Sequence, residues 1–274
     1  MADLFTDIET LAARIGDGAK VALPPDYSGC AMEAVRTLIA RGVRNLHLVG
    51  VPSVGLQGDL LIGAGCVGTL ETAAVTMDEF GPAPRFTAAV KAGTLKVIDG
   101  TCPAIHAGLQ AAEKGIPFMP VRGIVGSDLL EHRDDWTVGE NPFDAGYGPL
   151  VLVKAIKPDV ALFHVPLADK HGNVWVGVRR EMMTMAHAAK AALVTYEELY
   201  DGNLLTDPQM APGTIPALYV SALAEAKQGA WPVGLFGRYP ADAAHMAEYV
   251  ELARTEAGFA SYLDRFVTRR RAAE

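Results

Sequence analysis

Two histidines, an aspartate and an asparagine lie close together in the segment ALFHVPLADKHGNVWVGV, residues 161–178. They are His164, Asp169, His171 and Asn173, and they fall between two apolar runs. Imidazole and carboxylate groups bind zinc and move protons near neutral pH. The segment therefore fits a metal site, a catalytic relay or a polar turn, and the elements that carry it must decide among them.

A second set of polar residues follows predicted strands. Four such stretches are PPDYSG after KVAL, GVPSVGLQGD after LHLV, DGTCP after LKVI, and RGIVGSD after FMPV. Glycine, serine and threonine in such loops let backbone N–H groups approach an oxyanion, although no stretch matches a nucleotide-binding fingerprint. Because ligands bind beyond the carboxyl ends of the strands in open α/β sheets, we expect a substrate site there. Its candidate residues are Ser53, Thr101, Gly126, Ser127 and Asp128.

Asp99 ends the strand LKVID and is the candidate catalytic residue of this chain. It could position a carboxylate or activate water, and it could equally cap the helix that follows. Cys102 and His106 come next in the chain. We interpret Cys102 as a small residue at the start of that helix and His106 as a packing residue within it.

The elements that must position these residues alternate between helix and strand. AMEAVRTLIARG has apolar residues at helical spacing, and VRNLHLVGV reads as a buried strand. RFTAAVKAG ends at Gly93, and AGLQAAEKGIPFMPV repeats the order helix, glycine, strand. The pattern predicts an α/β fold with a mostly parallel sheet, closed by two helices with stripes at Met246 to Ala253 and Phe259 to Phe266. The stretch GSDLLEHRDDWTVGENPFDAGYGPL is predicted to be a long loop.

Composition limits the possible functions. Half of the 274 residues are apolar and the formal net charge is −8, so a large core is expected and a nucleic acid partner is not. No apolar run reaches the roughly 18 to 20 residues that cross a bilayer, and the first residues are acidic where a signal peptide is basic. Three cysteines give no disulfide framework. We expect a cytoplasmic protein, one domain over residues 1–274, and no metal.

Four segments resemble the α subunit of class I CoA-transferases, in particular the α-subunit group of glutaconate CoA-transferase. They are EFGPAPRFTAAVKAG, GLQAAEKGIPFMPVRGIVGSDL, KPDVALFHVPLADKHGNV and GLFGRYPADAAHMAEYV. The resemblance implies an open three-layer α/β/α sandwich of the CoA-transferase or NagB-RpiA-like type. It also implies a homologous β subunit in a heterodimer or heterotetramer, and coenzyme A bound as acyl-CoA at the interface. In this group the segment around Asp169, Gly172 and Asn173 is a turn between two strands, and Gly and Asn suit such a turn.

The chemistry implied by the resemblance uses a glutamate of the β subunit in a Glu-Asn-Gly context. Glu140-Asn141-Pro142 has proline in place of the glycine, so we do not assign the nucleophile to Glu140. Two further differences from the group are Pro24-Pro25-Asp26, where relatives have a glycine pair, and Trp231, where relatives have histidine. The prolines remove N–H donors from the first loop, and Trp231 is expected to alter the acyl pocket.

Three functions remain open from the sequence. The first is the α subunit of a CoA-transferase acting on a carboxylic acid, of dicarboxylic or oxo type. The second is a CoA-thioester or ring-opening hydrolase on the same fold, in which Asp99 could act as base. The third is a binding subunit without chemistry of its own.

Overall fold

The computed structural model describes residues 4–268. Its largest sheet has ten strands. They are β1 (Phe5–Thr6), β2 (Lys20–Leu23), β3 (Leu46–Gly50), β5 (Val67–Thr72), β7 (Lys96–Asp99), β11 (Val160–Asp169), β12 (Val174–Trp175), β13 (Ala191–Tyr200), β14 (Thr214–Ile215) and β15 (Ala222–Glu225). The main order is β1-β15-β13-β11-β2-β3-β5-β7 and every pair in it is parallel. Short β12 and β14 extend it with antiparallel pairs.

Two smaller sheets complete the strands. β4 (Ser53–Val54) pairs in parallel with β6 (Ala74–Val75). β8 (Phe118–Val121), β9 (Trp136–Glu140) and β10 (Pro149–Lys154) form an antiparallel sheet in the order β8-β10-β9. The helices are α1 (Ile8–Ala13), α2 (Met32–Arg41), α3 (Leu56–Gly63), α4 (Pro84–Ala92), α5 (Cys102–Glu113), α6 (Arg180–Ala188), α7 (Ala243–Leu252) and α8 (Glu256–Leu263).

Helices cover both faces of the large sheet because successive strand residues point to opposite sides. Val21 belongs to the apolar cluster that includes residues of α1 to α4, α7 and α8, whereas its neighbour Ala22 belongs to the cluster that includes residues of α5 and α6. The chain is thus a three-layer α/β/α structure with a mostly parallel sheet, as predicted. None of the helices between residues 4 and 268 is long and apolar enough to cross a membrane.

Several local predictions are confirmed. α2 and α4 occupy the predicted segments, and Gly93 ends α4 with a φ of 67°, a left-handed conformation that suits glycine. The two closing helices bury Met246, Tyr249, Phe259 and Tyr262 against α3 and α4 in the outer layer.

The prediction of a long loop from Gly126 to Leu150 is wrong. This stretch contains β9 and the start of β10, with Val151 of β10 opposite Val138 of β9. The strands are hard to recognise because only one face of this small sheet is buried, around Trp136, Val151 and Val153. Its exposed residues and its Asp-, Pro- and Gly-rich turns carry the polar composition that resembles a loop.

Candidate active site

The loops that follow β2, β3, β5 and β7 meet at one edge of the large sheet and are hydrogen-bonded to each other. Asp26 accepts a hydrogen bond from the N–H of Leu56 at 2.9 Å. Thr72 donates to the carbonyl of Pro52 at 3.1 Å, and Gly100 N–H donates to the carbonyl of Thr72 at 3.1 Å. These bonds fix the backbone along the carboxyl edge, where a substrate site is expected.

Asp26 shows how tightly this edge is packed. A side chain at Gly55 would collide with the Asp26 carboxylate, so only glycine allows the two loops to approach. Burial raises the pKa of Asp26 to about 6, although the Leu56 N–H and the Cys30 thiol partly oppose the rise. The prolines of the first loop act as acceptors here: Ser28 N–H donates to the carbonyl of Pro25 at 2.9 Å.

The strand order reverses between β2 and β11, which makes a crevice. β11 pairs with β2 only at Val160 and Ala161 and then continues without it to Asp169. The loop after β2 crosses the gap, where Gly29 accepts a hydrogen bond from His164 N–H at 2.8 Å. A reversal of this kind is the usual ligand site of an open α/β sheet.

An aromatic and cationic stack lines this crevice. The Arg179 guanidinium carbon lies 5.1 Å from the ring centre of Tyr27 and 5.8 Å from that of Phe236. Both Tyr27 and Arg179 line an open cavity of about 460 Å³ whose other wall is the segment 233–241. Burial raises the pKa of Tyr27, and the charge of Glu181 raises it further. The cavity is therefore lined by apolar and polar side chains together, with two cations, Arg179 and Arg238, at its wall.

Ser28 and Glu181 connect this wall to α6 and α5. The Ser28 hydroxyl donates a hydrogen bond to the Glu181 carboxylate. Burial lowers the pKa of His106 in α5, and the charge of Glu181 partly opposes this change. Ser28 and Glu181 thus form a hydrogen-bonded pair, and the charge of Glu181 reaches the imidazole of His106. Ser28 is fully buried, so this group supports the wall and does not present a nucleophile to the cavity.

The segment 233–241 is held in place by a buried network at Glu197. His164 Nε2 lies 3.1 Å from Glu197 Oε1 and its Nδ1 lies 2.8 Å from Thr195 Oγ1. Tyr239 donates to Glu197 at 2.6 Å. Burial would raise the pKa of Glu197, but hydrogen bonds from His164, Tyr239 and the Gln228 N–H outweigh it and lower the pKa to about 2. Glu197 is therefore a fixed anion that anchors this wall.

Three predicted residues lie along the carboxyl edge. Ser53 is in β4 opposite Ala74, Asp99 is the last residue of β7, and Thr101 comes two positions later. Thr101, not Asp99, caps α5, accepting a hydrogen bond from Ala104 N–H at 3.3 Å. The alternative interpretation of Asp99 as the helix cap is thus wrong. Its carboxylate is exposed and accepts a hydrogen bond from Gly100 N–H at 2.9 Å.

Gly126, Ser127 and Asp128 do not lie at the edge of the parallel sheet. They follow β8, which is expected in that sheet but belongs to the antiparallel one. Ser127 caps the short turn that follows, accepting from Leu129 N–H at 3.3 Å. The first part of the same loop does return to the site, because Gly123 and Ile124 share a cavity of about 240 Å³ with Thr101.

The polar part of the segment 161–178 is a turn. Asp169 is fully buried and accepts N–H groups of His171, Asn173 and Leu204 at 2.9 to 3.0 Å. Gly172 has a φ of 88°, as the turn requires. The following strand is short, since β12 ends at Trp175 and Val178 is 80% exposed.

The position of His164 excludes contact with a ligand. The side chain has no exposed surface and both ring nitrogens face protein groups. Burial lowers the pKa of His164, although Glu197 opposes the change. In the part of the chain that the structure describes, no three His, Cys, Asp or Glu side chains come together as a metal site would require.

Trp231 and Glu140 lie away from the cavity near Tyr27. The Trp231 ring packs on His245 at 4.2 Å and on Phe266 at 6.4 Å, among the closing helices. Trp231 therefore does not line the cavity near Tyr27. Glu140 lies exposed at the end of β9, in the antiparallel sheet.

Sequence reasoning missed Arg179, Glu181 and Phe236. They belong to no motif, and Tyr27 and Arg179 are 152 positions apart in the chain. The available signal was indirect: Arg179 and Glu181 lie at the start of a helix, and Phe236 lies between Gly234 and Gly237, both with positive φ.

Comparison with known proteins identifies the family. The family model described as Coenzyme A transferase matches residues 5–220. The chain is 30% identical to the A-type subunit of 3-oxoadipate CoA-transferase from Pseudomonas knackmussii, over 97% of this chain and 94% of that protein. It is 28% identical to the cholesterol ring-cleaving hydrolase IpdA subunit of Rhodococcus jostii, over 86% and 82%. An uncharacterized Archaeoglobus fulgidus protein is 32% identical, but the chain spans only 53% of its length.

Two solved structures agree with this assignment. Glutaconate coenzyme A-transferase from Acidaminococcus fermentans superposes with a TM-score of 0.88 at 25% identity, covering 97% of this chain and 89% of that one. The decarboxylase AibA/AibB superposes with a TM-score of 0.85 at 29% identity, covering 96% and 98%. The predicted fold and family are confirmed, and this chain belongs to the coenzyme A transferase family as a chain of the class I α-subunit type.

Proposed function

We propose that this chain is the α subunit of a two-subunit enzyme that moves CoA between a thioester and a carboxylic acid, of dicarboxylic or oxo type. The reaction class is supported by the family and by the similarity to the 3-oxoadipate CoA-transferase chain. A homologous β subunit, in a heterodimer or heterotetramer, is supported by the names of the relatives, which are those of single subunits. We further propose that residues 1–274 act as one domain.

The observation that supports the need for a partner is that three glutamates near the carboxyl edge, Glu71, Glu181 and Glu197, are already engaged. Glu71 is 3% exposed and lies 2.9 Å from Lys20 and 3.0 Å from Arg133. Glu181 accepts from Ser28, and Glu197 is enclosed by His164 and Tyr239. A carboxylate nucleophile must be free to reach a thioester carbonyl. We therefore assign the nucleophile to a glutamate of the β subunit.

The proposed chemistry has two halves. The partner's glutamate attacks the thioester carbonyl, which releases CoA thiolate and forms a mixed anhydride. The thiolate then attacks the glutamyl carbonyl, which releases the first acid and leaves a glutamyl-CoA thioester. An acceptor carboxylate reverses these steps. In this chain, Ser53 and Thr101 supply hydrogen-bond donors to the acyl group, whereas Gly126, Ser127 and Asp128, which follow β8 of the antiparallel sheet, are given no role in it.

A second candidate is hydrolysis of the thioester or of a ring. Two observations favour it: the similarity to the ring-cleaving hydrolase subunit, and the exposed Asp99 carboxylate at the end of β7. Asp99 could remove a proton from water as that water attacks. In that case, the acceptor acid is not needed.

The test is a turnover assay of this chain co-expressed with the product of its neighbouring gene. A panel of acyl-CoA thioesters is supplied with and without acetate or succinate. Acceptor-dependent exchange, with a CoA adduct on a partner glutamate detected by mass spectrometry, supports the transferase. CoA release without any acceptor, abolished by Asp99→Asn, supports the thioester hydrolase, whereas acceptor-independent addition of water to the acyl group with the thioester intact supports ring opening. Glu140→Gln is the matched control and should retain wild-type turnover.

A further inference from the structure

The Arg179 guanidinium is held rigidly, yet it has no anionic partner within residues 4–268. It lies over the rings of Tyr27 and Phe236, at 5.1 and 5.8 Å from their centres. Its Nε is buried and has no hydrogen-bond partner in the described part of the chain. Buried polar groups are normally satisfied, so an unsatisfied one at the wall of a cavity indicates a missing ligand.

Neighbouring cations differ from Arg179 in this respect. Arg238, on the same cavity, lies 2.8 Å from the Glu198 carboxylate. Arg180, one position along the chain, donates to the carbonyl of Pro212 at 2.7 Å. The lack of an anionic or carbonyl partner for the side chain is therefore specific to Arg179 and is not shared by these neighbouring arginines.

The surrounding cavity indicates which anion fits. Its volume is about 460 Å³ and its walls include Val233, Leu235, Phe236 and Ala241. A guanidinium presents a planar pair of donors that matches a carboxylate in two parallel hydrogen bonds. Arg238 on the same wall is already paired with Glu198, so Arg179 and the apolar side chains beside it suit a carbon chain that ends in a single negative charge. A phosphate carries more charge than one guanidinium neutralises.

We propose that Arg179 determines substrate specificity by binding the carboxylate at the far end of a dicarboxylic acyl group, away from the thioester. The inference rests on the proposed function and deepens it by assigning the second carboxylate to one residue of this chain.

The geometry prepares Arg179 for this role before substrate arrives. Phe236 packs on Trp175 with ring centres 5.9 Å apart, and its segment is anchored through Tyr239 to Glu197 at 2.6 Å. Contact with two aromatic rings limits rotation of the guanidinium, so little conformational entropy is lost when a carboxylate binds.

The first experiment compares acceptor acids of equal length on the complex with its partner subunit. Glutarate and pentanoate are used with one acyl-CoA donor, and kcat/KM is measured for each. Arg179→Gln should lower kcat/KM for glutarate by about 10- to 100-fold, the range for a lost charge-assisted hydrogen bond. It should change kcat/KM for pentanoate by less than about twofold. Arg179→Lys should recover part of the preference. Arg180→Gln is the matched control and should leave kcat/KM for both acids unchanged.

If Arg179→Gln lowers kcat/KM equally for glutarate and pentanoate, the proposal is overturned, because the change is then a general disturbance of the site. The proposal is also overturned if Arg179→Gln leaves kcat/KM for both acids unchanged.

A binding measurement separates this inference from the proposed function. In isothermal titration calorimetry of the same complexes, Arg179→Gln should weaken glutarate binding by about the factor by which it lowers kcat/KM for glutarate. Adenosine 3′,5′-bisphosphate should bind the wild-type and Arg179→Gln complexes equally. If no acid supports transfer but glutarate binding still depends on Arg179, the proposed function fails and the subsite stands. Loss of bisphosphate binding instead would assign Arg179 to a phosphate of CoA, and absence of glutarate binding to the wild type would likewise overturn the inference.

Discussion

Glu71 should contribute strongly to stability because it neutralises a buried cluster behind the carboxyl edge. It lies on β5 with 3% exposure, and its oxygens are 2.9 Å from Lys20 Nζ, 3.0 Å from Arg133 Nη2 and 3.3 Å from His47 Nε2. Arg133 in turn donates to the carbonyl of Asp99 at 2.9 Å. Glu71 thus also supports the backbone of the candidate catalytic residue.

The magnitude follows from the pKa of Glu71. Burial would raise it, but the hydrogen bond with His47 and the charges of Lys20 and Arg133 outweigh burial and lower the pKa from 4.5 to about 2. At about 1.36 kcal/mol per pKa unit, this corresponds to about 3 kcal/mol at neutral pH. Because the folded-state pKa is the lower one, the contribution is complete above about pH 4.5 and is lost as the pH falls toward 2.

The assay is urea unfolding of the wild type and Glu71→Gln, followed by circular dichroism between pH 7 and pH 3. We expect Glu71→Gln to lower the free energy of unfolding by about 3 kcal/mol at pH 7, with a smaller difference at pH 3. Glu140→Gln, a matched exposed glutamate, should change it by less than about 0.5 kcal/mol. A difference for Glu71→Gln that is small at pH 7, or that stays constant across this range, would refute the electrostatic reasoning.

Two further predictions concern the turn and the anchored segment. Asp169→Asn places an amide where Asn173 Nδ2 and the Leu204 N–H now donate to a carboxylate oxygen at 2.8 and 2.9 Å. It should lower the free energy of unfolding by about 2 to 4 kcal/mol in urea titrations, and a change within experimental error would contradict the turn's assigned role. Tyr239→Phe removes the hydrogen bond to Glu197 and should lower kcat/KM for glutarate several-fold more than kcat/KM for pentanoate. Tyr219→Phe, at an exposed tyrosine, is the control. An equal fall in kcat/KM for both acids would show that Tyr239 does not support the Arg179 subsite.

Local sequence determined those features that depend on neighbouring residues. The left-handed φ at Gly93 and the turn from Asp169 to Asn173 are set by residue types within a few positions. The α/β alternation follows from apolar periodicity, which needs no knowledge of the rest of the chain. The placement of Ser53, Asp99 and Thr101 along one edge then follows from the rule that parallel strands end together.

Tertiary structure alone decided the rest, because it depends on which strands pair and on what crosses between them. FMPV could have joined the parallel sheet, but pairing of Met119 with Val153 placed it in an antiparallel one and moved Gly126 to Asp128 away from the edge. Tyr27, Arg179 and Phe236 meet only because the crevice between β2 and β11 brings three distant loops together. No local pattern encodes such a contact, since each side chain is compatible with many environments until the sheet order is fixed.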